Sequence, residues 1–334
     1  MDPLAGLLDG PRARGAFLLR VAVDPPWSIR VADRAPLSLV AVVHGRAHLR
    51  AAGTAPQDLG PGDVALLRGP HPYTFADSPD TPVRVVIGPQ GPHTSAQHCA
   101  AADGGPLAET TWLGTRTWGT NPQGAARLLV GTYNLGTEVG RRILTALPPA
   151  VVLGAGAWRS PLVGVLDEEI DRDEPGQEVV LDRLLDLLLI SAVRAWFSRP
   201  APEAPAWYRA QGDPVVGPAL RLLHEEPARP WTVADLAART GVSRATLARR
   251  FAEVVGEPPM AYLTGWRLAL AADLLREPEV TVTAVARRVG YATPFALSAA
   301  FKRRYGVSPQ QHRRAHAPEP DTAPDVEAAP QPVP

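Results

Sequence analysis

The feature that most constrains this chain is an internal repeat in its C-terminal third, at a period of about 50 residues. Leu236-Ala237-Ala238-Arg239-Thr240-Gly241 returns as Val285-Ala286-Arg287-Arg288-Val289-Gly290, and Phe251, Gly256 and Pro259 return as Phe301, Gly306 and Pro309. Two blocks recurring in the same order imply two copies of one supersecondary unit.

Each copy reads as a helix, a tight turn and a second helix. In the first, Thr232 is placed to cap a helix with Asp235 three residues on, and Trp231 to staple onto Leu236. Gly241 supplies a left-handed stop. Ser243 then caps a second helix, in which Thr246, Leu247, Arg250 and Phe251 divide core from exposed face, and Gly256 ends it. In the second copy Gly290 ends the first helix, Thr293 caps the next, Phe301 faces the core and Gly306 terminates. Pro294 there takes the first helical position, where its missing N–H is harmless. Between the copies, Pro259 to Leu275 carries Met260, Leu263, Trp266, Leu270, Ala271 and Leu274 at helical spacing, and is expected to fix the placement of the two units. These are the parts of a helix-turn-helix. Two on one scaffold suit successive major-groove segments about 34 Å apart. An ordinary six-helix bundle without a ligand would share the helix–glycine–helix pattern.

Charge alone does not separate the two readings, since surface arginines are ordinary on a helical domain, but the repeat, the paired caps and the charge together favour DNA. The net charge of the 334 residues is zero, from 34 basic and 34 acidic side chains. Residues 1–213 hold 19 Arg and 22 acids, whereas residues 214–316 hold 15 basic and 8 acidic residues, a net of +7. A basic module is what phosphate attraction requires. The last 18 residues carry four acids and no base; Pro- and Ala-rich without aromatics, residues 317–334 are expected to be a disordered tail.

Upstream the pattern differs. From Ala16 to Ile87, short apolar runs punctuated by Gly, Pro and Asp suit strands and turns. Leu37–Val43, His44-Gly45 and Arg46–Arg50 read as a hairpin, and Leu59-Gly60-Pro61-Gly62-Asp63 as a further turn. The Gly-, Thr- and Pro-rich stretch 89–124 reads as a long loop before a strand at Ala126–Tyr133. From Val139 the period lengthens, placing Leu162, Val165, Leu166 and Ile170 on one helical stripe. Val180, Leu184, Leu188, Ala192 and Ala195 form a second, suited to a core helix or a dimer seam. Pro200–Pro205 opens a linker over 200–214. The expected organisation is a domain over 1–199, that linker, a helical domain over 215–316 and the tail.

A single cysteine, Cys99, excludes a disulfide framework and a CxxC zinc site, and fits a reducing, cytoplasmic setting. Beside His98 in a polar stretch it invites a redox-sensor reading against that of an ordinary thiol. The N-terminus lacks a charged region followed by an apolar stretch, and the longest apolar run, Leu184–Val193, is broken by Asp186. No membrane span is expected.

Trp231-Thr232-Val233, Gly241-Val242-Ser243, Arg249-Arg250-Phe251 and Gly256-Glu257-Pro258-Pro259, followed by Val289-Gly290-Tyr291, Phe301-Lys302-Arg303 and Gly306-Val307-Ser308-Pro309, resemble the DNA-binding domain of the AraC/XylS family of bacterial transcription regulators. Residues 1–200 resemble, more loosely, the cupin-type sensor domain of one branch of that family, through Leu59–Asp63, the Arg68-Gly69-Pro70-His71 turn and the helical segment that follows. The resemblance implies a multidomain α+β protein: a cupin-like β-barrel with a helical dimerisation segment, then an all-α domain with two helix-turn-helix units. It also implies that both second helices enter the major groove of double-stranded DNA. Arg244, Ala245, Ala248 and Arg249, behind the cap Ser243, and Pro294, Phe295, Ser298 and Lys302, behind the cap Thr293, are then the groove-facing residues. Arg249 suits bidentate reading of guanine, while Arg250, Arg303 and Arg304 suit phosphate contacts or solvated positions. Ala299 and Leu297 depart from the family's usual arginine and phenylalanine, so the second unit is expected to read DNA weakly, by contact with phosphate or a thymine methyl.

A cupin enzyme would need a metal. Here His71 fits one ligand position, but His44-x-x-x-His48 has no following Glu at a useful spacing, and no metal or other cofactor is expected. Trp27, His71 and Tyr73 are candidates for contacting a small-molecule effector. The expected protein is a homodimeric, non-enzymatic regulator that contacts RNA polymerase if it activates. The alternatives are a metal-dependent cupin oxygenase with a vestigial helical domain, and a constitutive DNA-binding protein.

Overall fold

The computed structural model describes residues 17–89, 98–103, 112–114, 116–133, 137–156, 158, 160–172, 174–199, 205–277 and 279–316. The expected tail lies outside them. The chain forms two compact units, residues 1–226 with 231–263 and residues 227–230 with 264–334.

The first unit begins with thirteen strands among the described residues: β1 (Phe17–Val23), β2 (Ser28–Val31), β3 (Leu37–His44), β4 (Ala47–Ala51), β5 (Gln57–Leu59), β6 (Val64–Arg68), β7 (Tyr73–Ala76), β8 (Val85–Gly88), β9 (His98–Ala101), β10 (Trp112–Gly114), β11 (Thr117–Gly119), β12 (Ala126–Tyr133) and β13 (Ala150–Leu153). They form a seven-stranded sheet, β10-β11-β1-β12-β3-β6-β13, and a six-stranded one, β5-β4-β7-β2-β8-β9. Val21, Val40 and Leu128 of the first sheet and Ile29, Leu49 and Phe75 of the second share one core. Each such side chain removed from water contributes about 1.5–3 kcal/mol.

Two expectations fail here. Leu37–Arg50 is not a hairpin: β3 pairs with β12 and β6, whereas β4 pairs with β5 and β7 in the other sheet. β3 already has β12 on one edge and β6 on the other, and its first six residues are buried, so the His44-Gly45 turn carries the chain into the other sheet. Only glycine fits there, at φ 76° with a hypothetical Cβ 2.1 Å from the Ala125 carbonyl oxygen. The stretch read as a long loop holds three strands of three or four residues: β9 and β10, which are sheet edges, and β11, which lies between β10 and β1. Such strands are too short to display an alternation.

The outer face of the larger sheet is covered by helices. After α1 (Glu138–Ala146) come α2 (Leu162–Ile170) and α3 (Gln177–Phe197). The Tyr133 hydroxyl donates to the Leu185 carbonyl at 2.8 Å, and a Cβ at Gly131 would lie 2.6 Å from a Leu185 methyl. The buried face of α3 is Leu181, Leu185, Leu188, Leu189, Ala192, Val193 and Phe197. The expected stripe is therefore rotated: Val180 is exposed and Leu184 half-buried, as Val165 is exposed on α2. A helix apolar over most of its circumference does not reveal by period which side faces the sheet.

The second half of the expected linker is helical. Trp207 and Tyr208 on α4 (Ala206–Arg209) pack on Phe197, with ring centroids 5.9 and 5.0 Å away. Ala210 is fully buried with α5 (Val216–Glu225), α6 (Val233–Thr240) and α7 (Arg244–Val255) in a core built on Leu220, Leu223, Trp231, Leu236, Leu247 and Phe251. The boundary between units falls inside α8 (Pro259–Leu274). The second unit continues with α9 (Val282–Arg288), α10 (Pro294–Tyr305) and α11 (Pro309–Ala315), whose core contains Leu268, Leu275, Val285, Leu297 and Phe301.

Candidate nucleic-acid interface

Local hydrogen bonds set both second helices. The Thr232 hydroxyl accepts from the Asp235 amide at 3.1 Å while the Asp235 carboxylate accepts from the Thr232 amide, a complete capping box at the start of α6. Ser243 accepts from the Thr246 amide and Thr293 from the Ala296 amide, each at 3.1 Å, so α7 and α10 begin where the sequence places them. Each cap is worth about 1 kcal/mol. Gly241, Gly256 and Gly306 take left-handed caps, whereas α9 ends on Val289, one residue before Gly290 at φ 82°. Caps that the sequence analysis does not name include Thr281 before α9 and a capping box of Ser308 with Gln311 at α11.

The outward face of α7 carries Ser243, Arg244, Ala245, Arg249 and Arg250, with Ala248 half-buried. Arg249 reaches Glu253 at 2.9 Å, an exposed i,i+4 pair of small net energy that leaves the guanidinium exchangeable. Arg250 is held differently. Its Nε and Nη2 lie 2.9 and 2.8 Å from Asp213 Oδ2, while Oδ1 of that carboxylate accepts from the Val215 and Val216 amides, both at 2.9 Å. Desolvation opposes the ionised form of Asp213, but these amide and guanidinium contacts outweigh it and hold its pKa below the ordinary value. Arg250 thus ties α7 to the start of α5. The sequence signal for Asp213 is an acid just ahead of a helix, within the stretch expected to be linker.

On α10 the first two turns of the corresponding face carry no charged or amide side chain. Thr293, Phe295, Ala296, Ala299, Lys302 and Arg303 are exposed, and Pro294 and Ser298 half-buried. Ser298 donates its hydroxyl proton to the Pro294 carbonyl at 2.8 Å. Lys302, Arg303 and Arg304 gather in the last turn.

In the β domain, the inter-sheet cavity is about 30 Å³ and is lined by Val21, Ile29, Val31, Val40, Phe75, Ile87, Leu128 and Val130, with Asp33, Tyr73 and Thr132 as its polar groups. Water fits; a metabolite-sized ligand does not. Of the three expected effector residues only Tyr73 lines it. Its buried hydroxyl, near Ser38 and Asp33, has no well-formed hydrogen bond, and burial pushes its pKa up. Burial likewise raises the Asp33 carboxyl, against the opposing bond from the Ala35 amide. Trp27 is buried away from the cavity lining, and His71 is exposed over a recess of about 10 Å³. Asp33 and Thr132 have no local signal: the pairing of β2 with β7 brings Asp33 to Tyr73, and the packing of the two sheets brings Thr132.

Cys99 lies in β9 against the apolar core, and burial raises its pKa, the opposite of what a reactive thiolate needs. The His98 side chain lies outside the described residues. His44 is exposed and His48 Nδ1 lies 2.8 Å from Asp58 Oδ1. Among the described residues no three His, Cys, Asp or Glu side chains are placed to share a metal ion.

Residues 2–198 match a family model described as cupin, and residues 236–315 one described as a helix-turn-helix domain. A protein named as an AraC-like transcription regulator in Streptomyces lividans is 33% identical over 319 residues, covering 94% of this chain and 98% of that one. The HTH-type transcriptional regulator AlkR of Acinetobacter baylyi is 26% identical over 320 residues, covering 94% and 99%. A solved DNA-binding domain of AdpA in complex with a target DNA is 34% identical, covering 31% of this chain and 94% of that one, with a TM-score of 0.30. A cupin domain followed by two capped helix-turn-helix units places the chain in the family of AraC-like, DNA-binding transcription regulators.

Proposed function

We propose that α7 and α10 enter major-groove segments about one DNA turn apart, with Arg249 reading a guanine and Arg244, Lys302, Arg303 and Arg304 meeting phosphates. The observation that carries this reading is the duplication of a capped helix with an outward face, on a module of net charge +7. Selection of duplexes from a random library by the full chain tests it. Two sub-sites roughly 10 base pairs apart support the reading, and binding without any recovered motif overturns it.

A small molecule in the cupin cavity controls DNA binding under this proposal. The apolar lining with Asp33, Thr132 and Tyr73 as its polar groups suits an apolar molecule bearing a hydrogen-bond donor, and the cavity must open to admit it. Such a ligand regulates only through differential affinity for two states. The tight interior favours a second reading, a cupin domain that only dimerises. Thermal-shift screening separates the two, because a ligand at a hundred times its Kd adds about 2.7 kcal/mol.

The outward Val165, Val179, Val180 and Leu187 on α2 and α3 support a homodimer seam, with Val179 62% and Leu187 50% exposed. Sedimentation of Leu187→Glu, expected to be monomeric, tests it. The regulator acts in the cytoplasm beside DNA, without enzymatic activity, and contacts RNA polymerase if it activates. No helix among the described residues is long and apolar enough to cross a membrane.

A further inference from the structure

We infer that Phe295 makes the second helix-turn-helix unit a reader of thymine, its ring packing on the C5-methyl group in the major groove. This rests on the reading that α10 enters that groove. At 84% exposure Phe295 is the most solvent-exposed of the large hydrophobic side chains among the described residues, and it sits at the second position of α10. An aromatic ring left in water forgoes the stabilisation that burial of its apolar surface would supply. The Thr293 cap and Pro294 at the first position hold the backbone that carries it.

The rest of that face narrows what Phe295 can recognise. Ala296 and Ala299 are exposed and offer methyl groups, and the Ser298 hydroxyl proton is committed to the Pro294 carbonyl. The first two turns therefore present no guanidinium, amide or carboxylate with which to read base edges. Of the groups displayed in the major groove, only the thymine methyl is apolar, and phenylalanine is among the side chains suited to it. The occupant is duplex DNA because Lys302, Arg303 and Arg304 follow on the same helix, placed to hold phosphates beside the groove.

The two units exchange their long side chain. Where α7 has Ala245 and Arg249, α10 has Phe295 and Ala299 at the positions 50 residues on. One face is built for a hydrogen-bonding base edge and the other for a methyl.

The test uses the full chain and a duplex selected by it from a random library. Each thymine is replaced in turn by deoxyuridine, which removes only the methyl. At one position of the second sub-site the wild type should lose about four-fold in affinity, the equivalent of one buried methyl group. Phe295→Ala should bind the thymine and deoxyuridine duplexes alike, and Phe295→Leu should keep part of the preference, which shows that the fold is intact. Replacing the deoxyuridine–adenine pair by 5-methylcytosine–guanine, against unmethylated cytosine–guanine, should recover a methyl-dependent gain in the wild type alone. The proposal is overturned if no deoxyuridine weakens wild-type binding while the duplex is still bound, or if Phe295→Ala retains the same discrimination. It is equally overturned if Phe295→Ala leaves affinity unchanged and abolishes transcription activation, since the ring then serves a protein partner. Failure to bind any selected duplex would instead break the underlying reading of α10.

Discussion

The two helix-turn-helix units share a frame and differ in what they show to solvent. Leu247 and Phe251 on α7 occupy the places of Leu297 and Phe301 on α10, all four fully buried, and Ser243 and Thr293 cap alike. Outside that frame the units diverge. Arg250 on α7 is bound to Asp213, whereas its counterpart on α10 is Ala300, a buried residue with no charge to hold. The requirements of packing and capping fix the buried half of each helix and leave the outward half free to acquire a separate chemistry. A duplicated scaffold can therefore carry two different readouts.

The largest test of that division is structural. Phe301→Ala should cost about 3–5 kcal/mol and reduce hydrogen-exchange protection across 282–315 while sparing 216–255. Equal loss in both stretches would show that the units do not hold separate cores. Acid should single out the first unit. Burial, reinforced by the nearby Arg142 charge, lowers the His224 pKa from 6.5 to about 4, and its Nε2 lies 2.7 Å from the Tyr262 hydroxyl. The unfolded chain binds this proton more readily, so stability is full above pH 6.5 and declines as pH falls towards 4, by on the order of 3 kcal/mol. Exchange measured between pH 7 and 4.5 should show 216–255 loosening, an effect that His224→Gln removes.

Base readout gives the next effect. Arg249→Ala should cost about 1–3 kcal/mol and relax selection at one base pair of the first sub-site. The reciprocal change, Ala299→Arg, should create a guanine preference in the second sub-site, and selected motifs of the two variants check both. A sequence-blind loss from Arg249→Ala would contradict its assignment as a base reader. The smallest effect falls on the contact without a counterpart. Asp213→Ala should lower stability by about 1 kcal/mol through the lost cap on α5 and the released Arg250, as measured by denaturant midpoint.

What the sequence disclosed was largely what is local. Thr232, Ser243 and Thr293 were legible because a cap and its acceptor lie three residues apart, and the buried phenylalanines because the repeat points to them twice. Thr281 and Ser308 carry the same three-residue signal, but they lie outside the repeated blocks that mark the other caps. Nonlocal geometry was not legible. The His44-Gly45 turn has the chemistry of a hairpin and of a sheet crossing alike, and only the pairing of β3 with β12 decides. Asp33, Tyr73 and Thr132 lie far apart in the chain: pairing of β2 with β7 brings the first two together, and only the packing of one sheet on the other adds Thr132. Trp27 and His71 were drawn by residue type rather than position, and neither lines that cavity.

Strand β12 has one further consequence. Its inward residues Leu128, Val130 and Thr132 line the cavity, while Gly131 and Tyr133, pointing the other way, meet Leu185 on α3. The strand works as a diaphragm between the interior and the helix that carries the outward apolar seam. At Gly131 an added methyl would have to displace the Leu185 side chain, so strand and helix lie in close contact there. An outward bulge of that wall would be felt by α3 as a push along its length, with the Tyr133 hydroxyl as the tether that keeps helix and strand moving together.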